Sequence, residues 1–593
     1  MGVCCFVVLM VACEKPPSTV AELWADFDPR RDPLELAVVR SWEEDGLVLR
    51  YVTWHVGTFL GKPARVAGFH ARPKTTGKVP GLLHLHGGGQ RASLDEVRHM
   101  AKLGYSCLSV NWGGRPMQDA RPGDANTDWG AVDPTQNNVP GYFNLKPGPK
   151  YLDPFESPRN NNWYLLTLAA RRGLTVLEKQ PEVDGSKLGV YGLSMGGNLT
   201  VYVAGSDSRV RASVPEVGGS GFRHEPRAML PNEPRAMPNG NLDLFNATLG
   251  FESYAPRVKG PMLWLGATND FHGIMDDTYR TGRLIPGNAT RYSFTPHMNH
   301  RFTPEFAVNR QLWFDQHLRG GPAMPGTPTT ALKLDAADHV PALEVKPAEA
   351  GRVAEVRVYY SVDPDPRARF WRSAEATRAD DTWRASLPIE DLKQPLFAFA
   401  NVGYNLPEKA PVLHAAAASR RQVSSALQSA RPAKLAEAGI KPTNPPTRLL
   451  DDWSAGWRDW YTLSGDNPHH WEFSTRKVGD SRWRGAKGEK LKISVASAEA
   501  NELVVVLTEN FFRGYRGKSR ELAAVARLPG GGKPVEIILQ ASDFKDSTGE
   551  AAKDWANADI LGFRAYVEKD GKLLGSKAWK GSQPVFSRLE WVP

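Results

Sequence analysis

Residues 188–200, with the sequence LGVYGLSMGGNLT, contain the feature that most constrains this chain. An apolar run typical of a buried strand is followed at once by helix-forming residues, and Ser194 lies at the junction in the pattern G-x-S-x-G-G. So sharp a turn leaves no room for side chains two residues to either side, which explains Gly192 and Gly196. The pattern predicts a strained serine at the end of a strand, and such strain is typical of a nucleophile.

Residues 79–90 predict a second buried strand, which ends in the run Gly-Gly-Gly-Gln. Because glycine has no side chain, backbone N–H groups in such a run can approach a substrate closely. We expect another N–H group, at the start of the helix behind the serine, to face the same cleft. The predicted oxyanion-hole donors are Met195 and one of Gly88, Gly89 and Gln90.

A catalytic acid is expected after the serine, directly behind a strand. The apolar run at 261–266 predicts that strand, and it leads into the sequence Ala-Thr-Asn-Asp, which ends at Asp270. Asp270 is therefore the predicted acid. Asp276 and Asp277 follow a few residues later and are interpreted as solvated charges on the next helix.

The catalytic base is expected behind the following strand, at 290–295. That strand runs into the sequence PHMNH, in which His297 and His300 are both possible bases. The remaining histidines are interpreted as loop-shaping, surface or packing residues, among them His86, His272 and His317.

Serine, acid and histidine in this chain order supply the groups for nucleophilic catalysis. The imidazole accepts the serine proton, the carboxylate orients the imidazole, and water hydrolyses the acyl-enzyme that forms. This chemistry is ester hydrolysis or acyl transfer and requires no cofactor. No H-E-x-x-H motif or other metal-ligand cluster occurs in the sequence, so no metal site is predicted.

Residues 46–320 resemble the α/β-hydrolase superfamily, and within it the dienelactone hydrolase and acetyl xylan esterase group. Four motifs carry the resemblance in the expected order: HLHGGG, GLSMGG, GATND and PHMNH. The resemblance implies an α/β fold with a mostly parallel eight-stranded sheet. It also implies a serine esterase that acts on an acylated carbohydrate such as acetylated xylan. The loop spacing of this fold favours His300 as the base, with His297 as the alternative.

Two insertions interrupt the hydrolase pattern. Residues 113–162 are expected to roof the active site, and residues 218–258 are expected to form the opposite wall, although both are also compatible with surface decoration. The first insertion is rich in Asn, Asp, Gly and Pro. A polar lid favours a sugar substrate, whereas leucine and phenylalanine at the lid would favour a lipid.

Other functions remain open from the sequence. A serine peptidase, or an esterase of lipids or xenobiotics, would use the same fold and the same residues. A non-catalytic surface protein that binds carbohydrate is the alternative from another class. The presence of serine, acid and histidine together argues against this last alternative.

The N-terminus predicts export. Residues 3–12 are almost continuously apolar but too short to span a bilayer, and they end in the sequence LMVAC at Cys13. This ending resembles a bacterial lipoprotein signal, although no Lys or Arg precedes the apolar run. We expect an export signal over residues 1–20 and a location in the periplasm, at the outer surface or outside the cell, with membrane attachment only through a lipidated Cys13. The other three cysteines lie in this segment, so Cys107 would be the single cysteine with a free thiol in a lipidated mature chain, which excludes a disulfide.

At 593 residues the chain is too long for one core, and its net charge of +9 is spread without a basic run, so nucleic acid is not an expected partner. The hydrolase domain is expected over 21–321, behind which the pattern changes to short strands. A small β-sandwich is predicted for 331–406, a linker for 407–446 with one helix over 422–430, and a β jelly-roll for 447–593.

The jelly-roll prediction resembles carbohydrate-binding modules in general outline. Tryptophans crowd the start of this domain, and an exposed aromatic face stacks well on a sugar ring, whereas most tryptophans serve core packing. Asp543 and Glu550 are compatible with calcium binding or with plain surface charge. The tryptophans concerned are Trp453, Trp457, Trp460, Trp471 and Trp483.

Overall fold

The computed structural model describes residues 15–220, 237–287, 289–462, 471–511, 519–569, 572–575 and 578–593. Residues 1–14 of the predicted export signal, with Cys13, lie outside the described residues, as does the middle of the second insertion. Among the described residues, no helix combines the length and apolarity needed to cross a membrane.

A mostly parallel sheet forms the centre of the first domain. Within the described chain its strands have the order β1-β2-β3-β5-β4-β6-β7-β8-β9, antiparallel from β1 to β5 and parallel from there to β9. The parallel strands are almost entirely buried, as apolar runs covered by helices on both faces should be. The strands are β1 Ala37–Glu44, β2 Leu47–Phe59, β3 Lys62–Pro73, β4 Val79–Leu85, β5 Ser106–Val110, β6 Val183–Leu193, β7 Val210–Glu216, β8 Met262–Ala267 and β9 Thr290–Thr295.

Helices connect and cover these strands, which confirms the predicted α/β-hydrolase fold. The carboxyl ends of parallel strands meet at one edge of the sheet, where active sites of such folds are found. The helices are α1 Val20–Trp24, α2 Leu94–Lys102, α3 Asn162–Glu178, α4 Met195–Ser206, α5 Leu242–Leu249, α6 Phe251–Tyr254, α7 Met275–Gly282, α8 Pro304–Ala307 and α9 Asn309–Arg319.

The sequence did not predict β1. This strand pairs antiparallel with β2 at the edge of the sheet, and most of its side chains are exposed or only partly buried. An edge strand with one neighbour has little need of an apolar pattern, which explains why its sequence, AVVRSWEE, gave no strand signal.

Two antiparallel sheets follow the hydrolase domain. Within the described residues one has the order β10-β11-β15-β14, and the other has the order β13-β12-β16-β17 with β18 also paired to β16. The strands are β10 Thr329–Lys333, β11 Ala342–Lys346, β12 Val353–Ser361, β13 Arg372–Ala374, β14 Thr377–Ala379, β15 Thr382–Ser386, β16 Leu396–Val412, β17 Ala415–Ser424 and β18 Gln428–Ala430.

The linker predicted for 407–446 was wrong over most of its first half. There β16 and β17 form a long hairpin, and the helix predicted for 422–430 is replaced by the end of β17 and by β18. The reason is a long-range contact with β9. The Ser424 hydroxyl accepts a hydrogen bond from the Phe294 N–H, and the backbone carbonyl oxygen of Gln422 accepts one from the Ser293 hydroxyl. A helix, α10 Pro432–Glu437, comes only afterwards.

The last part of the chain folds around one apolar core as two four-stranded antiparallel sheets and a two-stranded one. Within the described residues their strand orders are β19-β28-β21-β24, β20-β25-β22-β23 and β26-β27. Its tryptophans mostly serve that core. Trp471 is buried, Trp457 stacks on Phe473 at 4.0 Å, and Trp453 stacks on Phe586 at 5.3 Å. The strands are β19 Leu449–Asp451, β20 Glu472–Thr475, β21 Lys490–Ala496, β22 Asn501–Glu509, β23 Arg520–Leu528, β24 Pro534–Leu539, β25 Ala558–Arg564, β26 Tyr566–Lys569, β27 Lys572–Gly575 and β28 Val585–Val592.

Candidate active site

Ser194 lies in the tight turn between β6 and α4, with φ of 58° and ψ of −116°, a conformation that L-residues rarely adopt. Nearby backbone leaves no space for a side chain at Gly196, because a Cβ there would overlap the carbonyl oxygen of Leu85. The Ser194 N–H group donates a 2.8 Å hydrogen bond to the carbonyl oxygen of Glu216 at the end of β7. Contacts of the backbone inside the sheet therefore hold the strained serine.

A cavity of about 450 Å³ opens in front of Ser194. Most of its lining is apolar or aromatic, and a few polar groups converge on the serine; we call it the apolar cavity. Its lining residues are Gly87, Gly88, Gln90, Gln136, Val139, Tyr142, Phe143, Trp163, Leu193, Ser194, Met195, Phe271, His272 and His300.

Asp270 and His300 meet beside this cavity. His300 Nδ1 lies 2.8 Å from Asp270 Oδ2, and Asp270 is buried. The other carboxylate oxygen accepts the N–H groups of His272 and Gly273, which support the negative charge. A histidine held in this way by a buried carboxylate has its second ring nitrogen available for proton transfer.

His297 lies apart from this pair. Its ring is buried 5.6 Å from the ring of Phe370 and 6.0 Å from that of Tyr359, and neither ring nitrogen has a hydrogen-bond partner in the described part of the chain. Burial lowers the pKa of His297 to about 4. The structure thus pairs Asp270 with His300, and His297 packs beneath the second domain.

Asp276 and Asp277 are not the solvated helix charges that the sequence predicted. Asp276 accepts two hydrogen bonds, of 2.6 and 2.9 Å, from the guanidinium of Arg369, which lies between β12 and β13. Asp277 is buried. Residues from a later domain cover this helix, a contact that local sequence does not reveal.

The predicted oxyanion loop, residues 87–90, borders the apolar cavity, but its N–H groups differ in their hydrogen-bond acceptors. Gly89 donates its N–H to the side-chain oxygen of Gln136, and Gln90 donates to the carbonyl oxygen of Gly87 at 3.3 Å. Gly88 and Met195 both line the cavity with the serine.

His86 shapes this loop, as the sequence predicted. Its ring stacks on Trp112 at 4.5 Å, and Nδ1 donates to the carbonyl oxygen of Gly87 at 2.7 Å. Burial lowers the pKa of His86 to about 3, so the imidazole is neutral at physiological pH.

The first insertion forms one wall of the apolar cavity, and it does so with apolar side chains. Val139, Tyr142 and Phe143 face the cavity from a short 3₁₀ segment. The polar residues that predicted a sugar-binding lid instead bond the insertion to itself: the Asn161 amide donates to the carbonyl oxygen of Tyr142 at 3.0 Å, and the Asn162 amide to that of Asn138 at 2.8 Å. Polar composition was therefore a poor guide to what faces the substrate.

His272 is a member of the site that sequence reasoning missed. It lines the apolar cavity, its ring lies 6.0 Å from that of His300, and its Nε2 lies 3.3 Å from the Asn198 amide nitrogen. Its Nδ1 lies 3.1 Å from the carbonyl oxygen of Val217, and burial lowers the pKa of His272. Its position two residues after Asp270 was the available signal.

The β domains contact the acid and histidine loops directly. Asn269, next to the predicted acid, donates from its side-chain amide to the carbonyl oxygens of Arg367 and Arg369 at 2.9 and 2.7 Å. Arg476 of the last domain donates to the carbonyl oxygen of His297 at 3.4 Å. The loops that carry Asp270 and His300 are thus covered by both later domains.

A strained serine behind a parallel strand, with an imidazole and a carboxylate behind two later strands, is the arrangement of an α/β-hydrolase. Two family models match the chain: acetyl xylan esterase (AXE1) over residues 43–219, and the dienelactone hydrolase family over residues 165–305. These two matches, which together span residues 43–305, support a hydrolase that acts on ester bonds. No curated protein sequence gives a significant match to it.

Several solved structures are similar to about half of the chain. An acetyl xylan esterase from Paenibacillus sp. R4 is 16% identical and covers 49% of this chain and 91% of its own, with a TM-score of 0.36. Acetyl xylan esterase 1 from Thermoanaerobacterium sp. JW/SL YS485 is 18% identical, with 50% and 93% covered and a TM-score of 0.38. A putative dienelactone hydrolase from Klebsiella pneumoniae subsp. pneumoniae is 17% identical, with 45% and 99% covered and a TM-score of 0.29.

Proposed function

We propose that this protein is a serine esterase in which Ser194 is the nucleophile, His300 the general base and Asp270 the residue that orients the base. The observation that carries the proposal is the 2.8 Å contact between His300 Nδ1 and Asp270, beside the cavity into which the strained Ser194 opens. His300 Nε2 takes the proton of the Ser194 hydroxyl as its oxygen attacks the ester carbonyl carbon.

The negative charge that develops on the carbonyl oxygen is stabilised by two backbone N–H groups, those of Met195 and Gly88. Gly89 and Gln90 donate to other acceptors, so we assign the second donor to Gly88. The intermediate collapses, the alcohol leaves with the proton that His300 returns, and a water molecule activated by His300 releases the acid from Ser194.

Asp270 keeps the imidazole in the tautomer that this reaction needs. With Nδ1–H donated to the carboxylate, Nε2 carries the lone pair that accepts the serine proton. The N–H groups of His272 and Gly273 bind the other carboxylate oxygen and keep it from rotating.

For the substrate we propose an acylated carbohydrate, with the acyl group in the apolar cavity. The acetyl xylan esterase match supports this choice. A second candidate is an ester with an apolar or aromatic acyl group, which the side chains of Val139, Phe143 and Phe271 in the lining favour. A serine peptidase would require an amide to bind in the same cavity.

The test compares wild type and Ser194→Ala on p-nitrophenyl acetate, on p-nitrophenyl esters of longer acids, on acetylated xylan and on a peptide anilide. Loss of the nucleophile should lower ester hydrolysis by about a thousandfold or more. Ser186→Ala is the matched control, because this serine is exposed at the opposite end of the same strand.

Acetate release from xylan that depends on Ser194 supports the carbohydrate esterase, and a preference for long acyl chains supports the second candidate. Anilide cleavage would identify a peptidase instead. Ester hydrolysis unchanged in Ser194→Ala would contradict the mechanism, and none in wild type would favour a non-catalytic binding protein.

We also propose that the protein is exported, on the basis of the apolar run that ends at Cys13. Mass spectrometry of the mature N-terminus, after expression in a bacterial host, tests this directly. A chain that begins at a lipidated Cys13 is expected, and an intact N-terminus at Met1 would contradict export.

A further inference from the structure

A second cavity lies on the other side of the oxyanion loop and has no role in the reaction proposed above. Its volume of about 740 Å³ falls in the range of roughly 300–1,000 Å³ that is usual for ligand cavities. Gln90 and Leu193 line both cavities, so this one begins beside Ser194. We call it the polar cavity, because charged and amide side chains form much of its lining.

Several parts of the chain enclose the polar cavity. Helix α2 contributes Glu96, α9 contributes Arg310, and the first insertion contributes Arg115 and Gln118. Residues 412–415, at the tip of the hairpin between β16 and β17, also line it. The appended domain therefore completes a cavity that opens next to the nucleophile.

Arg310 does not offer its charge to a ligand. Its guanidinium lies 3.3 Å from a carboxylate oxygen of Glu96 and 3.2 Å from one of Glu216. The Tyr191 hydroxyl donates a further hydrogen bond to Glu96. Arg310 is therefore already paired with carboxyl groups of the protein itself.

Arg91 and Arg115 are in a different position. Both are exposed at the cavity, and in the described part of the chain neither has a carboxylate partner. Arg91 donates one N–H to the carbonyl oxygen of Pro116. Arg115 Nη2 lies 3.7 Å from where a Cβ on Gly89 would be, which places this cation beside the oxyanion loop.

We propose that the polar cavity binds the alcohol part of the ester, and that this part is a carbohydrate bearing a carboxylate, a uronic acid residue, held by Arg91 and Arg115. The inference rests on the proposed function. Guanidinium groups bind carboxylates through paired, charge-assisted hydrogen bonds. The amides of Gln90 and Gln118 provide donors and acceptors for sugar hydroxyls.

Under this assignment the substrate spans both cavities across Ser194. The small acyl group lies in the apolar cavity, and the sugar lies in the polar one. The unpaired charge of two arginines thus determines which decorated polysaccharide is cleaved fastest.

The test measures acetate release from two sets of acetylated xylo-oligosaccharides of equal length, one with glucuronic acid side groups and one without. Wild type should prefer the acidic set by at least about tenfold in kcat/KM. The double variant Arg91→Gln/Arg115→Gln should lose that preference, mainly through a higher KM for the acidic set. Added salt should weaken the preference in wild type.

Arg121→Gln is the matched control, because Arg121 is exposed on the same insertion but lines neither cavity. It should keep the wild-type preference. Equal rates on both sets in wild type, or a preference that survives in the double variant, would overturn the proposal. If the double variant does not fold, inhibition of wild type by deacetylated acidic oligosaccharides, and not by neutral ones, decides instead.

Hydrolysis of p-nitrophenyl acetate by wild type separates this proposal from the proposed function. Hydrolysis of the small ester without a preference for acidic sugars would contradict only the proposed carboxylate-binding site. No small-ester hydrolysis at all removes the esterase mechanism as well.

Discussion

The two halves of the proposed catalytic machinery are held in different ways. Ser194 is fixed by the backbone of the central sheet, through its N–H bond to the carbonyl oxygen of Glu216 and through the close approach of Gly196 to β4. The loops of Asp270 and His300 instead bond to later domains through side chains: Asn269 and Arg369 for the acid loop, and Arg476 for the histidine loop.

This difference shows that the residues of one active site are held partly by contacts within a short segment and partly by contacts between segments distant in sequence. The nucleophile needs only its own short segment and the strands beside it. The acid and the base depend on segments around residues 365 and 476, far away in sequence. Mutations in the β domains should therefore affect the acid and the base while leaving the serine turn intact.

The largest expected effect is that of Asp270→Asn, which alters the contact between the proposed acid and the proposed base. An amide at this position stabilises the wrong imidazole tautomer, so kcat should fall by about 10⁴-fold while the structure is kept. Steady-state kinetics with p-nitrophenyl acetate, together with a melting curve, provide the measurement. A fall of less than tenfold with unchanged stability would remove Asp270 from its proposed role.

Gly196→Ala breaks the local half. The new methyl group would overlap the Leu85 carbonyl oxygen. Because this oxygen belongs to the backbone of β4, it cannot move aside as the end of a flexible side chain can. The free energy of unfolding should drop by about 3 kcal/mol or more, with most of the activity lost. Gly77→Ala is the control, since no atom lies within 4 Å of a Cβ there, and chemical denaturation of both variants checks the prediction.

Arg369→Met tests the contact between the β domain and the helix that follows the acid loop, because it removes the ion pair with Asp276. Removal of this buried cation from Asp276 should lower stability by about 2–3 kcal/mol. The rate should fall roughly tenfold, because a shift of about 1 Å in a positioned group has consequences of that order or larger.

A double-mutant cycle with Asp276→Asn measures the coupling between the two side chains. We expect the double variant to lose little more than Arg369→Met alone. Fully additive losses would mean that the ion pair is not what holds the loop.

Glu216→Gln has the smallest expected effect and concerns the support of the serine turn. Burial raises the pKa of the Glu216 carboxyl to about 7 from 4.5. The folded protein therefore holds this proton up to about pH 7, whereas an unfolded chain loses it near its ordinary pKa, so wild-type stability falls as pH rises through this window.

Glutamine stays neutral, so the variant should gain about 1–2 kcal/mol relative to wild type between pH 5 and pH 8. Denaturation at both pH values measures the change. Parallel pH profiles of stability for the two proteins would contradict the buried, protonated state.

The sequence predicted the parts of the molecule whose physics is local. The glycines around Ser194 and the apolar runs of the parallel strands gave the sheet and the serine turn, because sterics and burial act over a few residues there. It also led to Asp270 and His300, since both lie directly behind strands.

What it missed depends on contacts between distant segments. Residues 407–430 looked like a connector, yet they form strands because β9 and Ser424 bond across domains. The polar first insertion predicted a sugar-binding lid, yet Asn161 and Asn162 donate to backbone carbonyl oxygens, and Phe143 lines the cavity. Composition does not say which way a side chain points.

The most direct test of the central claim is covalent labelling with a small phosphonate ester that reacts with activated serines. Mass spectrometry should find one adduct per chain, on the peptide that contains Ser194, with ester hydrolysis lost in proportion, and Asp270→Asn should label far more slowly. Label at another residue, or hydrolysis that continues in fully labelled protein, would show that Ser194 is not the nucleophile.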